Sequence, residues 1–214
     1  SSHLGSGGPH AKERSASRRR PLPRQQLCVE AMAEEVPAGE VAAEDNAWGQ
    51  AIEEWLISAG VCEAGALANR EDGAMYAAAP VAGDAGWDKV WKDDYQVTVL
   101  AEDGVTEQRA DICEAATLKQ VADMQNMDDR PQHGLWLAGR KYIITGREVL
   151  TATSVNAEVP VVQAANKETK TAAVIAVAGS QIVVAITNEG KGQKPPNAIQ
   201  AVMCFAEYLI NEGY

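Results

Sequence analysis

The chain of 214 residues lacks features that several large functional classes require. It has no run of about 18 apolar residues, so no membrane span is predicted. Its four cysteines are scattered without a C-x-x-C pair, which indicates reduced thiols in a cytoplasmic protein and no zinc site. Of three histidines, only His133 lies outside the N-terminal tail. A multi-histidine metal centre is therefore excluded, and we expect no metal and no cofactor.

Positive charge is scarce over most of the chain. The formal net charge is −11, but residues 1–31 carry six basic and two acidic residues, so the remainder holds 13 basic residues against 28 acidic ones. A body this acidic is repelled by a phosphate backbone, so nucleic-acid binding is disfavoured. We expect residues 1–31 to be a disordered tag or upstream-derived tail, followed by a flexible acidic leader over 32–45.

Catalytic motifs are also missing. The sequence contains no G-x-x-x-x-G-K-[ST], G-x-G-x-x-G, G-x-S-x-G or H-E-x-x-H. The many carboxylates are typical of a solvated surface and single out no acid–base pair. We therefore predict no catalytic residue and a protein that acts by binding.

From residue 46 the hydrophobic pattern predicts an α+β domain. Amphipathic helices are expected from near Asn46 to Gly60 and from Pro195 onward, with a short helix over 114–124. Apolar runs predict strands over 64–69, 74–79, 134–138, 140–145, 159–164, 171–178 and 181–187. We expect a central antiparallel sheet of about six strands, with the terminal helices packed together on one face and the short helix on the other. A hairpin within about 91–112, polar on both faces, is expected to project as an arm.

The eleven aromatic residues are few enough for their positions to be informative. Trp48 and Trp55 fall on one edge of the first helix, and Phe205 and Tyr208 form a stripe on the last one. A shallow groove of such rings binds polyproline, whose preformed helix stacks on aromatic faces. Ordinary packing of helices on a sheet is the alternative interpretation, and periodicity alone leaves both open.

Several motifs, taken together, resemble the profilin family. They are Trp48 with Glu54-Trp55-Leu56, Glu71-Asp72-Gly73 with Tyr76-Ala77-Ala78-Ala79, the strand turn Gly134-Leu135-Trp136-Leu137-Ala138-Gly139-Arg140-Lys141-Tyr142, and Phe205-Ala206-Glu207-Tyr208-Leu209-Ile210. The segment Trp87–Tyr95 and the arm hairpin look most like the apicomplexan branch of that family. The resemblance runs in order from residue 46 to residue 214.

The resemblance implies a cytoplasmic, non-enzymatic protein that binds actin monomers, regulates polymerisation and docks proline-rich segments of nucleators such as formins. It implies polyproline-binding residues at Trp48, Trp55, Tyr76, Tyr208 and Tyr214, with Trp55 substituting for the usual tyrosine that Ala51 replaces. It implies actin-binding residues at Lys141, Lys167, Asn197 and Gln200. Weak phosphoinositide binding and recognition of the arm by a host Toll-like receptor are further implied partners.

Two other classes fit the α+β pattern. One is a protein-assembly scaffold of longin or roadblock type that does not use actin. The other is a ligand sensor of PAS type, which requires an enclosed cavity. Retention of monomeric actin discriminates against both, since neither class predicts it.

Overall fold

The computed structural model describes residues 47–100 and 106–214, so the predicted tail over 1–31 and leader over 32–45 lie outside the described residues. The first helix, α1 (Ala47–Ile52), runs directly into a π-helical turn, Glu53–Ile57. It ends before Gly60, whose φ of 70° reverses the chain. The predicted amphipathic helix is therefore present, but its second half is wound more widely than an α-helix.

Seven antiparallel strands form the central sheet, in the order β2-β1-β9-β8-β7-β6-β5. Their bounds are β1 (Ala64–Asn69), β2 (Met75–Ala79), β5 (Leu135–Leu137), β6 (Arg140–Ala152), β7 (Ala157–Asn166), β8 (Thr171–Ala178) and β9 (Gln181–Asn188). The predicted strand positions are confirmed, and the count is seven rather than about six. β6 is longer than predicted because a bulge before Gly146 restores its pairing with β7.

The sheet is covered on both faces by helices. The first helix, its π-helical turn and α4 (Pro195–Asn211) pack on one face, where Val202, Ala206 and Leu209 of α4 are fully buried. Two shorter helices, α2 (Trp87–Val90) and α3 (Glu114–Asp123), pack on the other face. The predicted layers are confirmed, and Pro195 occupies the first position of α4, where a missing N–H costs no hydrogen bond.

The hairpin is a separate two-stranded sheet formed by β3 (Tyr95–Leu100) and β4 (Glu107–Ile112), and its tip over 101–105 lies outside the described residues. The expectation that both of its faces are polar is wrong. Val97 pairs with Ala110, and Tyr95 pairs with Ile112, so one face is apolar. That face packs at its root against Trp136 of β5.

Among the helices of residues 47–100 and 106–214, none is both long enough and apolar enough to cross a membrane.

Candidate functional site

Three aromatic rings from distant parts of the chain meet: one from the first helix, one from β2 and one from the last residue of the sequence. Trp48 lies edge-on to Tyr76, with 6.4 Å between ring centroids, and edge-on to Tyr214 at 5.0 Å. Tyr76 is 41% exposed, and its hydroxyl donates a 2.7 Å hydrogen bond to Oε1 of Gln181. Burial and the neighbouring Tyr214 raise the pKa of the Tyr76 phenol above its usual range, so it remains a neutral donor. We call these three rings the Trp48 cluster.

The turn between β8 and β9 holds Tyr214 in this cluster. Gly179 in that turn has a φ of +59°, and a Cβ at this position would lie 2.0 Å from the carbonyl oxygen of Tyr214. The amide of Tyr214 donates to the carbonyl of Leu209, and Nη1 of Arg70 donates to the carbonyl of Gly179. The β1–β2 hairpin, the β8–β9 turn and the chain end therefore interlock.

A second set of rings lies where the π-helical turn meets α4. Trp55 stacks on Phe205 and Tyr208, with centroids 5.8 and 5.3 Å apart, and the latter two stack at 6.2 Å. Phe205 is fully buried, whereas Trp55 and Tyr208 are half-buried. Phe205 was not predicted as a site residue, although it lies on the same stripe as Tyr208. We call these three rings the Trp55 stack.

Trp55 follows Ala51, the helix position that carries no ring, by about one turn. The two residues are four positions apart, so they are neighbours on one helix face. Both side chains belong to the same hydrophobic cluster, in which Ala51 is 7% exposed. The π-helical turn, closed by a 2.8 Å bond from the Ser58 amide to the Glu53 carbonyl, sets the direction of Trp55.

The other four predicted residues lie near the opposite end of α4, and all are exposed. Lys141 is the second residue of β6, and its carbonyl accepts a 3.1 Å hydrogen bond from Nδ2 of Asn166, next to Lys167. An open depression of about 520 Å³ joins this β7–β8 turn to Pro195 at the start of α4, whose first turns carry Asn197 and Gln200. Helix α4 has 17 residues and is about 25 Å long, which separates this surface from the Trp48 cluster.

Positive charge is concentrated around this surface. Seven of the 13 basic residues outside the tail lie in this region. Lys167, Lys170 and Lys194 line the depression, and Lys89 and Arg140 line a neighbouring one that shares Thr171. Lys141 lies at the start of β6, and Lys191 pairs with Glu63. The acidic residues within the same region are Glu63, Glu168 and Glu189. The other described residues comprise six basic and 18 acidic ones. We call this region the basic end.

The Glu63 carboxylate bridges two lysines and an asparagine of the basic end. Its Oε1 accepts from Nζ of Lys89 at 3.0 Å and from Nζ of Lys191 at 3.1 Å, and Oε2 accepts from Asn188 at 2.6 Å. Burial alone raises the pKa of this carboxyl, but the lysines and the amide outweigh it and lower the pKa to about 2. Sequence reasoning missed Glu63 because its partners are distant in the chain.

Within 47–100 and 106–214, no three His, Cys, Asp or Glu side chains are arranged to hold a metal ion. Cys62 is buried, which raises the pKa of its thiol to about 12 and keeps it protonated. The described residues therefore form a small α+β domain with an aromatic groove and a separate basic end.

The comparisons with known proteins identify its family. The profilin family model matches residues 46–214. The chain is 27% identical over 177 residues to profilin from Plasmodium falciparum, an alignment that covers 80% of this chain and 99% of that relative. It is similar to the crystal structure of Acanthamoeba castellanii profilin II, with a TM-score of 0.50 and 16% identity over 78% of this chain and 99% of that one.

The chain belongs to the profilin family. The resemblance derived from the sequence is thereby confirmed, and the Plasmodium relative agrees with its apicomplexan character.

Proposed function

We propose that this profilin binds actin monomers at its basic end and proline-rich segments, such as those of formins, in the groove between its terminal helices. By holding both ligands at once it regulates actin polymerisation in the cytoplasm. The observation that carries the proposal is the pair of aromatic sets, the Trp48 cluster and the Trp55 stack, that lie along one helix–helix interface.

The spacing of the two aromatic sets fits a polyproline helix. Trp48 and Trp55 are seven residues apart, and because the last part of this span is the wider π-helical turn, their Cα atoms are slightly less than about 10 Å apart along the helix. A polyproline helix has three residues per turn and advances about 9 Å in that turn. A ligand that places one ring on the Trp48 cluster therefore presents its next turn to the Trp55 stack.

Tryptophan fluorescence titrated with a proline-rich peptide tests the groove. We expect Trp48→Ala and Trp55→Ala each to weaken binding about tenfold, the equivalent of losing one well-packed aromatic contact. Trp87→Phe is the matched control, because Trp87 packs on the opposite face of the sheet. Wild-type affinity in the Trp55→Ala variant would show that the groove stops at the Trp48 cluster.

The actin surface is proposed on the four exposed residues Lys141, Lys167, Asn197 and Gln200. The two lysines are linked through Asn166, and the depression beside Lys167 continues to the start of α4. Local positive charge suits an acidic partner and determines orientation and rate of association more than affinity. The surface lies far enough from the groove for both ligands to be held together, which raises the local monomer concentration beside a proline-rich nucleator.

A binding assay with monomeric actin tests this surface. We expect Lys141→Glu/Lys167→Glu to lose binding about tenfold or more, because each change also introduces repulsion. Lys119→Glu is the matched control, since Lys119 is a surface lysine of α3 paired with Asp123. Equal binding by the double variant and the control would refute the lysine assignment, and no retention of actin by the wild type would refute the function.

Two further partners implied by the family are proposed for specified surfaces. An anionic phosphoinositide headgroup suits the basic end, although the acidic remainder of the chain opposes its approach to anionic lipid. A Toll-like receptor would recognise the hairpin segment, 91–112. Vesicle sedimentation with and without phosphoinositide, and receptor activation by a hairpin-deleted variant, test these assignments separately.

A further inference from the structure

The root of the hairpin is attached to the body by one buried carboxylate, that of Glu114. This side chain is fully buried at the start of α3. Its Oε1 accepts hydrogen bonds from the Gly139 amide at 2.6 Å and the Tyr95 hydroxyl at 2.9 Å. Its Oε2 accepts from the amides of Lys92 at 3.0 Å and Ala138 at 2.9 Å. Four neutral donors thus replace the water that the carboxylate lost on burial.

These donors come from two separate segments, and Glu114 belongs to a third. Lys92 and Tyr95 precede or begin β3, while Glu114 itself follows the end of β4 by two residues. Ala138 and Gly139 form the β5–β6 turn, and both have positive φ, 51° and 74°. Both strands of the hairpin and the β5–β6 turn therefore converge on one carboxylate, and its hydrogen bond supports the unfavourable conformation of Ala138.

The same contacts place the hairpin beside Lys141. Trp136 of β5 lies edge-on to Tyr95 at 6.0 Å and contacts the apolar face of the hairpin. In the β5–β6 pair, Trp136 is directly opposite Lys141, so the two side chains share a face of the sheet. Ile143, two residues further along β6, lies on that face and is 56% exposed. The hairpin root thus borders the exposed Lys141 surface.

We propose that Glu114 is a positioning residue, which fixes the hairpin and the β5–β6 turn so that the hairpin and Lys141 present one continuous surface to the actin monomer. This inference rests on the proposed function for the identity of the partner. The attachment of the hairpin by Glu114 is a separate claim that can be measured without actin.

The variant Glu114→Gln in the full chain tests the proposal, with Asp123→Asn as control. In either orientation, the amide nitrogen of glutamine faces at least one backbone N–H that donated to the carboxylate. Asp123 is an exposed carboxylate at the end of α3, paired with Lys119 and outside the hairpin. Because burial raises the pKa of Glu114, removing its charge relieves a desolvation cost and the variant is expected to fold. Tyr95→Phe removes one donor without altering Glu114 and is the milder second variant.

We expect Glu114→Gln to bind monomeric actin about tenfold more weakly and to retain wild-type affinity for a proline-rich peptide. Amide hydrogen exchange should accelerate in 92–99 and 107–112, with Tyr95→Phe intermediate and Asp123→Asn unchanged. Wild-type exchange in both Glu114→Gln and Tyr95→Phe would overturn the positioning role, and so would accelerated exchange with unchanged actin affinity. If the wild type does not bind actin, the proposed function fails, while the exchange result still decides whether Glu114 attaches the hairpin.

Discussion

Substitution of Gly179 is expected to perturb the groove, because this residue lies against Tyr214. In Gly179→Ala the new methyl group would lie 2.0 Å from the Tyr214 carbonyl oxygen, so the chain end must move by about 1 Å or more to reach ordinary contact. A non-glycine residue at a φ of +59° also costs about 1–2 kcal/mol. The two penalties have different consequences, because only the first displaces an aromatic ring of the Trp48 cluster.

A second glycine separates these two penalties. Gly83 has a φ of +61°, nearly the same as Gly179, but a Cβ there meets nothing within 4 Å. Gly83→Ala therefore carries the backbone cost alone. We expect Gly83→Ala to lose about 1–2 kcal/mol of unfolding free energy in denaturant titrations, and Gly179→Ala to lose more because it also carries the clash with Tyr214. Only Gly179→Ala should also displace Tyr214 and lose its edge-on contact with Trp48. Such a contact contributes about 0.5–1.5 kcal/mol, so the peptide affinity should fall by at most about tenfold.

The assay is the fluorescence titration with a proline-rich peptide, together with actin binding as an internal reference. Gly179→Ala should weaken peptide binding and leave actin binding at the wild-type level, since the basic end lies at the other end of α4. Wild-type peptide affinity in Gly179→Ala would refute the role of the β8–β9 turn in holding Tyr214. An equal loss of peptide affinity in Gly83→Ala would assign the effect to stability instead.

Three further outcomes are expected. Glu63→Gln should lose about 2–3 kcal/mol of unfolding free energy at pH 7. Because the pKa of Glu63 in the folded protein is lowered to about 2, the stability difference between wild type and variant is present above pH 4.5 and vanishes as the pH falls toward 2. Parallel profiles of unfolding free energy against pH for the two proteins would contradict this. Gly65→Ala places a methyl 2.7 Å from the first helix and should cost about 1–3 kcal/mol, whereas Gly146→Ala meets open space and should cost less. Ala51→Tyr should destabilise by overpacking, but Ala51→Tyr/Trp55→Ala should recover the peptide binding that Trp55→Ala loses.

The sheet was predictable because its strands carry uniform patterns. Both β8 and β9 are apolar on both faces, since helices cover both sides of the sheet, and their length of eight residues, their valines and isoleucines and the turn residues at their ends favour a strand over a buried helix. The second half of β6 was missed because the bulge brings Arg147 and Glu148 into the strand and interrupts the alternation. Pattern reasoning thus located the elements but not their full extent.

The candidate sites were predictable only in part, and for a physical reason. Trp48 and Trp55 stand out in the sequence because tryptophan is rare, and the structure brings both together with rings of the chain end. The π-helical turn has no sequence signature, and it decides where Trp55 lies. Glu63 and Glu114 are two of many carboxylates, and nothing local distinguishes them, because their partners are supplied by the tertiary fold.

The molecule has a negative net charge, and the concentration of basic residues at one end also gives it a strong electric dipole. An acidic partner repels the molecule as a whole, yet its field turns the basic end toward it before contact. Salt screens the far-reaching monopole repulsion first, and the short-range attraction at the docked surface persists until the Debye length is a few ångströms. The rate of association with an acidic partner should therefore rise with added salt, pass through a maximum and then fall.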